Sequence, residues 1–149
     1  MMEKILIVDD STVQAAQLKT ILEDEYDVTI THRAEDGLDR AGKEDFSLIL
    51  LDVVMPEMDG FTLLKKLQDE IVTQSVPVIL ITSLSDVKNE QRGLILGAVD
   101  YIRKPFEPLI VKARVNTHTK LYRYRRQIEE RSMTDQLTGI ANRRRYEEH

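Results

Sequence analysis

Five polar residues stand where largely apolar runs stop: Asp9 and Asp10 after Lys4 to Val8, Asp52 after Ser47 to Leu51, Thr82 after Pro77 to Ile81, and Lys104 after Ala98 to Arg103. A second hydroxyl, Ser83, follows Thr82. One aspartate in such a place can simply end a strand or cap the next helix. Three carboxylates brought together repel one another, and keeping them ionised calls for a cation. A few hard oxygen donors suit Mg2+, which retains several of its waters. Such an ion would neutralise an incoming phosphoryl group in line with a carboxylate nucleophile. The compact charge of Lys104 suits another phosphoryl oxygen, and the Thr82 hydroxyl can donate to a third.

These residues meet only if the elements carrying them end on one edge. Ser47-Leu48-Ile49-Leu50-Leu51-Asp52 reads as a strand buried on both faces, with Asp52 at its carboxyl end. Lys4-Ile5-Leu6-Ile7-Val8-Asp9-Asp10 repeats that design, and Ser11 or Asp10 can cap a helix in which Val13, Ala16, Gln17, Leu18, Ile21 and Leu22 fall near helical spacing. Tyr26 to Ile30 alternates and reads as a shorter strand near an edge, and Ala34 to Ala41 as a weak helix ended by Gly42. Pro56 and Gly60 mark a loop after Asp52, followed by a helix carrying Phe61, Leu63, Leu64 and Leu67. Pro77 to Ser83 is a fourth strand, Val87 to Leu96 a helix with few strong anchors closed by Gly97, and Ala98 to Arg103 a fifth strand; Pro108 sits where the last helix can begin. Five alternations of strand and helix predict an α/β fold: a doubly wound parallel sheet with helices on both faces. Right-handed crossovers then bring every strand's carboxyl end to the same edge.

The 149 residues, 42% of them hydrophobic, suffice for one core and an appendage. With no cysteine, disulfide frameworks and thiolate metal sites are excluded. No run approaches the length of a membrane span or a signal peptide, which predicts a cytoplasmic protein without membrane contact. Residues 1–107 hold 11 Lys and Arg against 21 Asp and Glu, whereas residues 108–149 hold 10 against 5, so an acidic body carries a basic tail. A solvated helix face explains that tail better than nucleic-acid binding does.

Asp9-Asp10, Asp52 followed by Met55-Pro56-Glu57-Met58-Asp59-Gly60, Thr82-Ser83, and Tyr101 with Lys104-Pro105-Phe106 resemble the receiver domain of two-component response regulators. The resemblance spans residues 3 to about 122 and implies a flavodoxin-like sheet of order 2-1-3-4-5. It implies that Asp52 accepts a phosphoryl group from a sensor histidine kinase, and that Asp9, Asp10, Asp52 and the backbone carbonyl of Val54 hold Mg2+. It further implies that Lys104, Thr82 and Ser83 serve the phosphoryl group, that Tyr101 changes rotamer in response, and that the peptide before Pro105 is cis. The output face it implies is the fourth helix, fifth strand and fifth helix. Taken singly, Tyr101 reads equally well as half-buried packing, and Thr82 as an ordinary strand residue.

From Pro108 to Arg131 no Pro or Gly interrupts, although the fifth helix of the fold should stop near Leu121. Ile110, Arg114, Thr117, Leu121, Tyr124, Ile128 and Arg131 recur at alternating spacings of four and three, a ragged heptad seam that predicts a helical stalk pairing in a homodimer. His118 is expected on the surface of this helix. Ser132 to Arg144 reads as a polar, Gly-containing loop, with Asn142 able to cap a further helix. The run Thr134-Asp135-Gln136-Leu137-Thr138-Gly139-Ile140-Ala141-Asn142-Arg143-Arg144 is also similar to the opening segment of GGDEF diguanylate cyclase domains. The chain thus divides, as an expectation, into a receiver at 1–122, a stalk at 123–133 and the start of a GGDEF-like domain at 134–149, with Glu148-His149 a candidate tag remnant. The catalytic signature of a cyclase lies outside the sequence, so these residues would support only receiver self-phosphorylation and dephosphorylation, with no nucleotide site. The implied parent makes cyclic di-GMP. A DNA-binding regulator and a stand-alone adaptor are the other two readings; no second helix with a reading face follows Gly139, which disfavours the first, and the long helix disfavours the second.

Overall fold

The computed structural model describes residues 2–55, 58–83 and 87–137, with residues 130–137 described by their backbone alone. Along the chain run β1 (Lys4–Val8), α1 (Thr12–Leu22), β2 (Asp27–Thr31), α2 (Ala34–Lys43), β3 (Leu48–Asp52), α3 (Gly60–Asp69), β4 (Val78–Ser83), α4 (Val87–Leu96), β5 (Asp100–Lys104) and α5 (Pro108–Leu137). The five strands form one sheet in the order β2-β1-β3-β4-β5, and every pair is parallel. This is the predicted doubly wound arrangement.

Strand parity divides the core into two layers. Leu6, Val8, Ile49, Leu51, Val78 and Leu80 face α2 and α3, meeting Ala34, Ala41, Phe61, Leu64 and Leu67. Their neighbours Ile5, Ile7, Leu48, Leu50, Ile79, Ile81 and Ile102 face α1 and α5, meeting Ala15, Leu18, Leu22, Val111 and Val115. Burying β3 on both faces explains its lack of alternation.

Caps and turns fix where the helices start and stop. Ser11, rather than Asp10, caps α1 by accepting from the Gln14 amide at 3.2 Å, and Asp59 caps α3 by accepting from the Thr62 amide at 2.8 Å. Gly97 leaves α4 with φ of 115°, and the Ala98 amide returns to the Gly93 carbonyl at 3.0 Å, a Schellman-type end.

Several expectations need correction. Gly42 does not stop α2: the helix continues through Lys43, and at Glu44 the backbone turns extended while its amide donates to the Arg40 carbonyl and its side chain pairs with Arg40 and Lys4. The buried face of α1 is Ala15, Leu18 and Leu22, so Val13 projects outward and is 66% exposed. β2 begins and ends one residue later than the alternation of Tyr26 to Ile30 suggested, because Tyr26 turns inward and its hydroxyl meets Asn116 and Thr119 of α5. His118 is half-buried, with Nε2 3.1 Å from Asp100 Oδ2, since its position on α5 faces the edge of β5.

The last helix is longer than expected and stays on the body as far as Arg126. Tyr122 is buried, Arg123 pairs with Glu3 at 2.8 Å, and Arg126 pairs with Asp45 at 3.1 Å. The backbone remains helical through Leu137, so Ser132 to Leu137 continue the rod where a loop was expected; residues 138–149 lie outside the described residues. Among the described residues no helix is long and apolar enough to cross a membrane.

Candidate functional site

The carboxyl ends of β1 and β3 are adjacent, and they deliver Asp9, Asp10 and Asp52 to one point. One carboxylate oxygen from each lies within 4.8 Å of the others. Asp9 and Asp52 are buried and Asp10 is exposed, so the cluster is closed beneath and open above. Oδ1 of Asp9 accepts from the Ser11 amide at 2.9 Å, while its Oδ2 is buried with no hydrogen-bond partner. Burial pushes the Asp9 carboxyl up to about 6, and the neighbouring Asp52 adds to that rise. An orphaned carboxylate oxygen among three converging acids is what a divalent cation with hard oxygen preferences satisfies, so these residues fit Mg2+.

Positive charge arrives from the far side of β4. Lys104, at the end of β5, extends its Nζ to 3.5 Å from Asp52 Oδ1. The Val54 amide reaches the same oxygen at 3.4 Å, which sets the Val54 backbone beside the cluster. Gly60 abuts Asp52 from below: a Cβ there would fall 2.4 Å from the Asp52 carbonyl oxygen, and the Gly60 amide donates to the Val53 carbonyl at 2.8 Å. The Lys104-Pro105 peptide is cis. His32 joins from the bend after β2, its Nδ1 2.9 Å from the Asp9 carbonyl.

The remaining expected residues stand outside this cluster. Thr82 is buried, and its hydroxyl donates to Glu90 Oε2 at 3.2 Å. Ser83 is exposed at the end of β4, paired in register with Lys104. Tyr101 is half-buried, with the guanidinium groups of Arg103 and Arg114 5.2 and 5.4 Å from its ring centre; Arg114 also donates to the Tyr101 carbonyl. Pro56 and Glu57 lie outside the described residues.

Glu90, Arg103 and His32 lie outside the motifs that marked the site in the sequence, and the motif ending in Gly60 does not show its close seat. The available signal for Glu90 was an acid three residues before Gly93 on a helix short of apolar anchors. A further feature, an open and largely apolar groove of about 900 Å3, adjoins Lys104 and is lined by Val13, Gln17, Ile21, Phe106 and Pro108.

The family model for the response regulator receiver domain matches residues 5–116. The chain is 34% identical over 141 residues to the response regulator PleD of Caulobacter vibrioides, covering 94% of this chain and 31% of that one. It is 38% identical over 114 residues to a probable cyclic di-GMP phosphodiesterase of Vibrio cholerae, covering 76% of this chain and 26% of that one. It is 42% identical over 117 residues to the uncharacterized transcriptional regulatory protein YkoG of Bacillus subtilis, covering 76% of this chain and 50% of that one. The chain therefore spans between a quarter and a half of these curated relatives. Among solved structures, a putative response regulator from Chloroflexus aurantiacus superposes with a TM-score of 0.78 at 30% identity, covering 80% of this chain and 99% of that one.

Proposed function

The chain belongs to the response regulator receiver family, and from that premise we propose that Asp52 is its phosphoacceptor and a sensor histidine kinase its donor. The observation that carries this reading is the convergence of Asp9, Asp10 and Asp52 with Lys104 3.5 Å from the Asp52 carboxylate. An Asp52 oxygen attacks the phosphorus of a phosphohistidine; the P–N bond breaks, its electron pair stays on the imidazole, and the new P–O bond leaves an aspartyl phosphate. Lys104 draws off charge from the phosphoryl oxygens as it loosens from Asp52. Asp9, Asp10, Asp52 and the Val54 carbonyl would hold Mg2+, which when bound neutralises charge on the transferring group. Thr82, with Ser83 beside it, then turns to the phosphoryl group, and Tyr101 changes its seat in response, giving a two-state element. The groove along α1 suits the apolar face of a donor helix, since it leads to Lys104. Acetyl phosphate with Mg2+ tests the assignment: it labels the wild-type chain and leaves Asp52→Asn unlabelled.

For the output we propose control of a diguanylate cyclase, with the receiver at 1–122, a stalk at 123–133 and the start of the second domain at 134–149. Three observations support it. The backbone of α5 runs unbroken to Leu137. The segment Thr134 to Arg144 is similar to the opening of GGDEF domains. The likeness to PleD takes in 94% of the chain, more than a receiver alone occupies. Joining two GTP molecules requires two active sites face to face, so the receiver would act by setting dimer geometry. Ile95, Val99 and Ile110 are exposed on the face made by α4, β5 and α5, and Leu121, Tyr124 and Ile128 continue along the rod. The 42% identity to YkoG favours a second reading, a transcriptional regulator. Phosphorylation-dependent formation of cyclic di-GMP from GTP by the longer protein supports the first; phosphorylation-dependent DNA binding without it supports the second.

A further inference from the structure

Thr82 and Arg103 are paired across β4 and β5, so their side chains leave the same face of the sheet. Glu90, on the inner side of α4 and 4% exposed, fills the space above them. Its Oε2 accepts from Thr82 Oγ1 at 3.2 Å and from Arg103 Nε at 2.7 Å, and its Oε1 accepts from Arg103 Nη2 at 3.0 Å. The two-pronged Arg103 contact holds the Glu90 carboxyl below its usual range, which keeps it an ionised acceptor. A threonine hydroxyl has one proton to donate. While that proton is donated to Glu90, it is not available to a phosphoryl oxygen on Asp52.

Resting on the reading of Asp52 as phosphoacceptor, we infer that Glu90, clamped by Arg103, is a positioning residue that latches Thr82 in the unphosphorylated arrangement. The phosphoryl group must then win the hydroxyl from a buried carboxylate, so Glu90 sets how far the resting population lies from the switched one. Arg103 also lies over the ring of Tyr101, which joins the latch to the second responsive side chain through one guanidinium.

Beryllofluoride, a phosphoryl mimic bound with Mg2+, supplies the test as a double-mutant cycle between Glu90→Gln and Thr82→Val. Its affinity is measured by calorimetry on the whole chain. In the Thr82 background Glu90→Gln tightens binding about tenfold, because a hydrogen bond to a charge gives way to one to a neutral amide. In the Thr82→Val background the same change moves affinity by no more than about twofold. Glu90→Ala gives the same direction and serves where the amide variant folds poorly. A Glu90 that only packs α4 and satisfies Arg103 would shift both backgrounds alike; that result, or no tightening, overturns the latch. If the wild-type chain binds no beryllofluoride with Mg2+, the phosphoacceptor reading itself fails and the latch with it.

Discussion

Nζ of Lys104 lies 3.5 Å from Oδ1 of Asp52, although β4 stands between the strands that carry them. The lysine stem crosses that strand's end, and its ammonium remains partly exposed while Asp52 is buried. An ammonium so placed offsets the Asp52 charge at rest and, under the proposed phosphoacceptor role of Asp52, faces the position where new phosphoryl charge would appear.

Lys104→Met should therefore slow labelling of Asp52 by acetyl phosphate about a hundredfold. Mg2+ affinity should stay equal or rise, because the ammonium and the ion compete for Asp52. Lys104→Arg should not restore the rate, as a broad planar guanidinium cannot replace a point charge on a flexible stem. Labelling rates from intact mass and Mg2+ titration by calorimetry check both arms.

Asp9 should make the metal-free chain lose stability as the pH rises towards neutrality. Burial, with the neighbouring Asp52, pushes its carboxyl up to about 6 in the folded protein, against 3.8 for an unperturbed group. Between those values the folded state holds the extra proton, so stability falls as pH rises from about 4 through about 6. Asp9→Asn should remove that fall and make the metal-free chain more stable than wild type at pH 7, while abolishing tight Mg2+ binding. Denaturant melts at several pH values, with and without Mg2+, read out both effects; an Asp9→Asn chain as pH-sensitive as wild type would contradict them.

Gly60→Ala should destabilise the fold by about 1–3 kcal/mol and impair labelling together. The added methyl would press on the Asp52 carbonyl and on Val53 Cα, which are backbone and cannot swing aside. Urea melts and acetyl phosphate labelling of one preparation test the link; a destabilised chain that labels normally would break it.

Leu121 and Ile128 are 54% and 62% exposed on α5. Replacing both by Glu should change monomer stability by less than about 0.5 kcal/mol, because neither is buried in the monomer. The same change should abolish any dimer formed with beryllofluoride, as seen by sedimentation. A dimer of unchanged strength would place the interface elsewhere.

Much of this organisation was legible because β1, β3 and β4 are unbroken apolar runs and parallel strands end on one edge. That logic alone brings Asp9, Asp10, Asp52 and Lys104 together. The grip of Glu90 on Thr82 was not legible, since it depends on the β4–β5 register and on which side of α4 faces inward. Val13 and Gly42 misled for a related reason: helical spacing tolerates more than one face, and glycine stops a helix only where the chain must turn left-handed. The continuation of α5 through Leu137 was obscured by Ser, Thr and Asp, residues that favour caps and turns but do not forbid a helix.

The most direct measurement is chemical identification of the labelled residue. After reaction with acetyl phosphate and Mg2+, borohydride reduction converts an aspartyl phosphate to homoserine, which peptide mass spectrometry locates. Homoserine is expected at position 52 and nowhere else, with no conversion in Asp52→Asn. Homoserine at another aspartate of the wild-type chain, or undiminished labelling of Asp52→Asn, would contradict the phosphoacceptor role of Asp52.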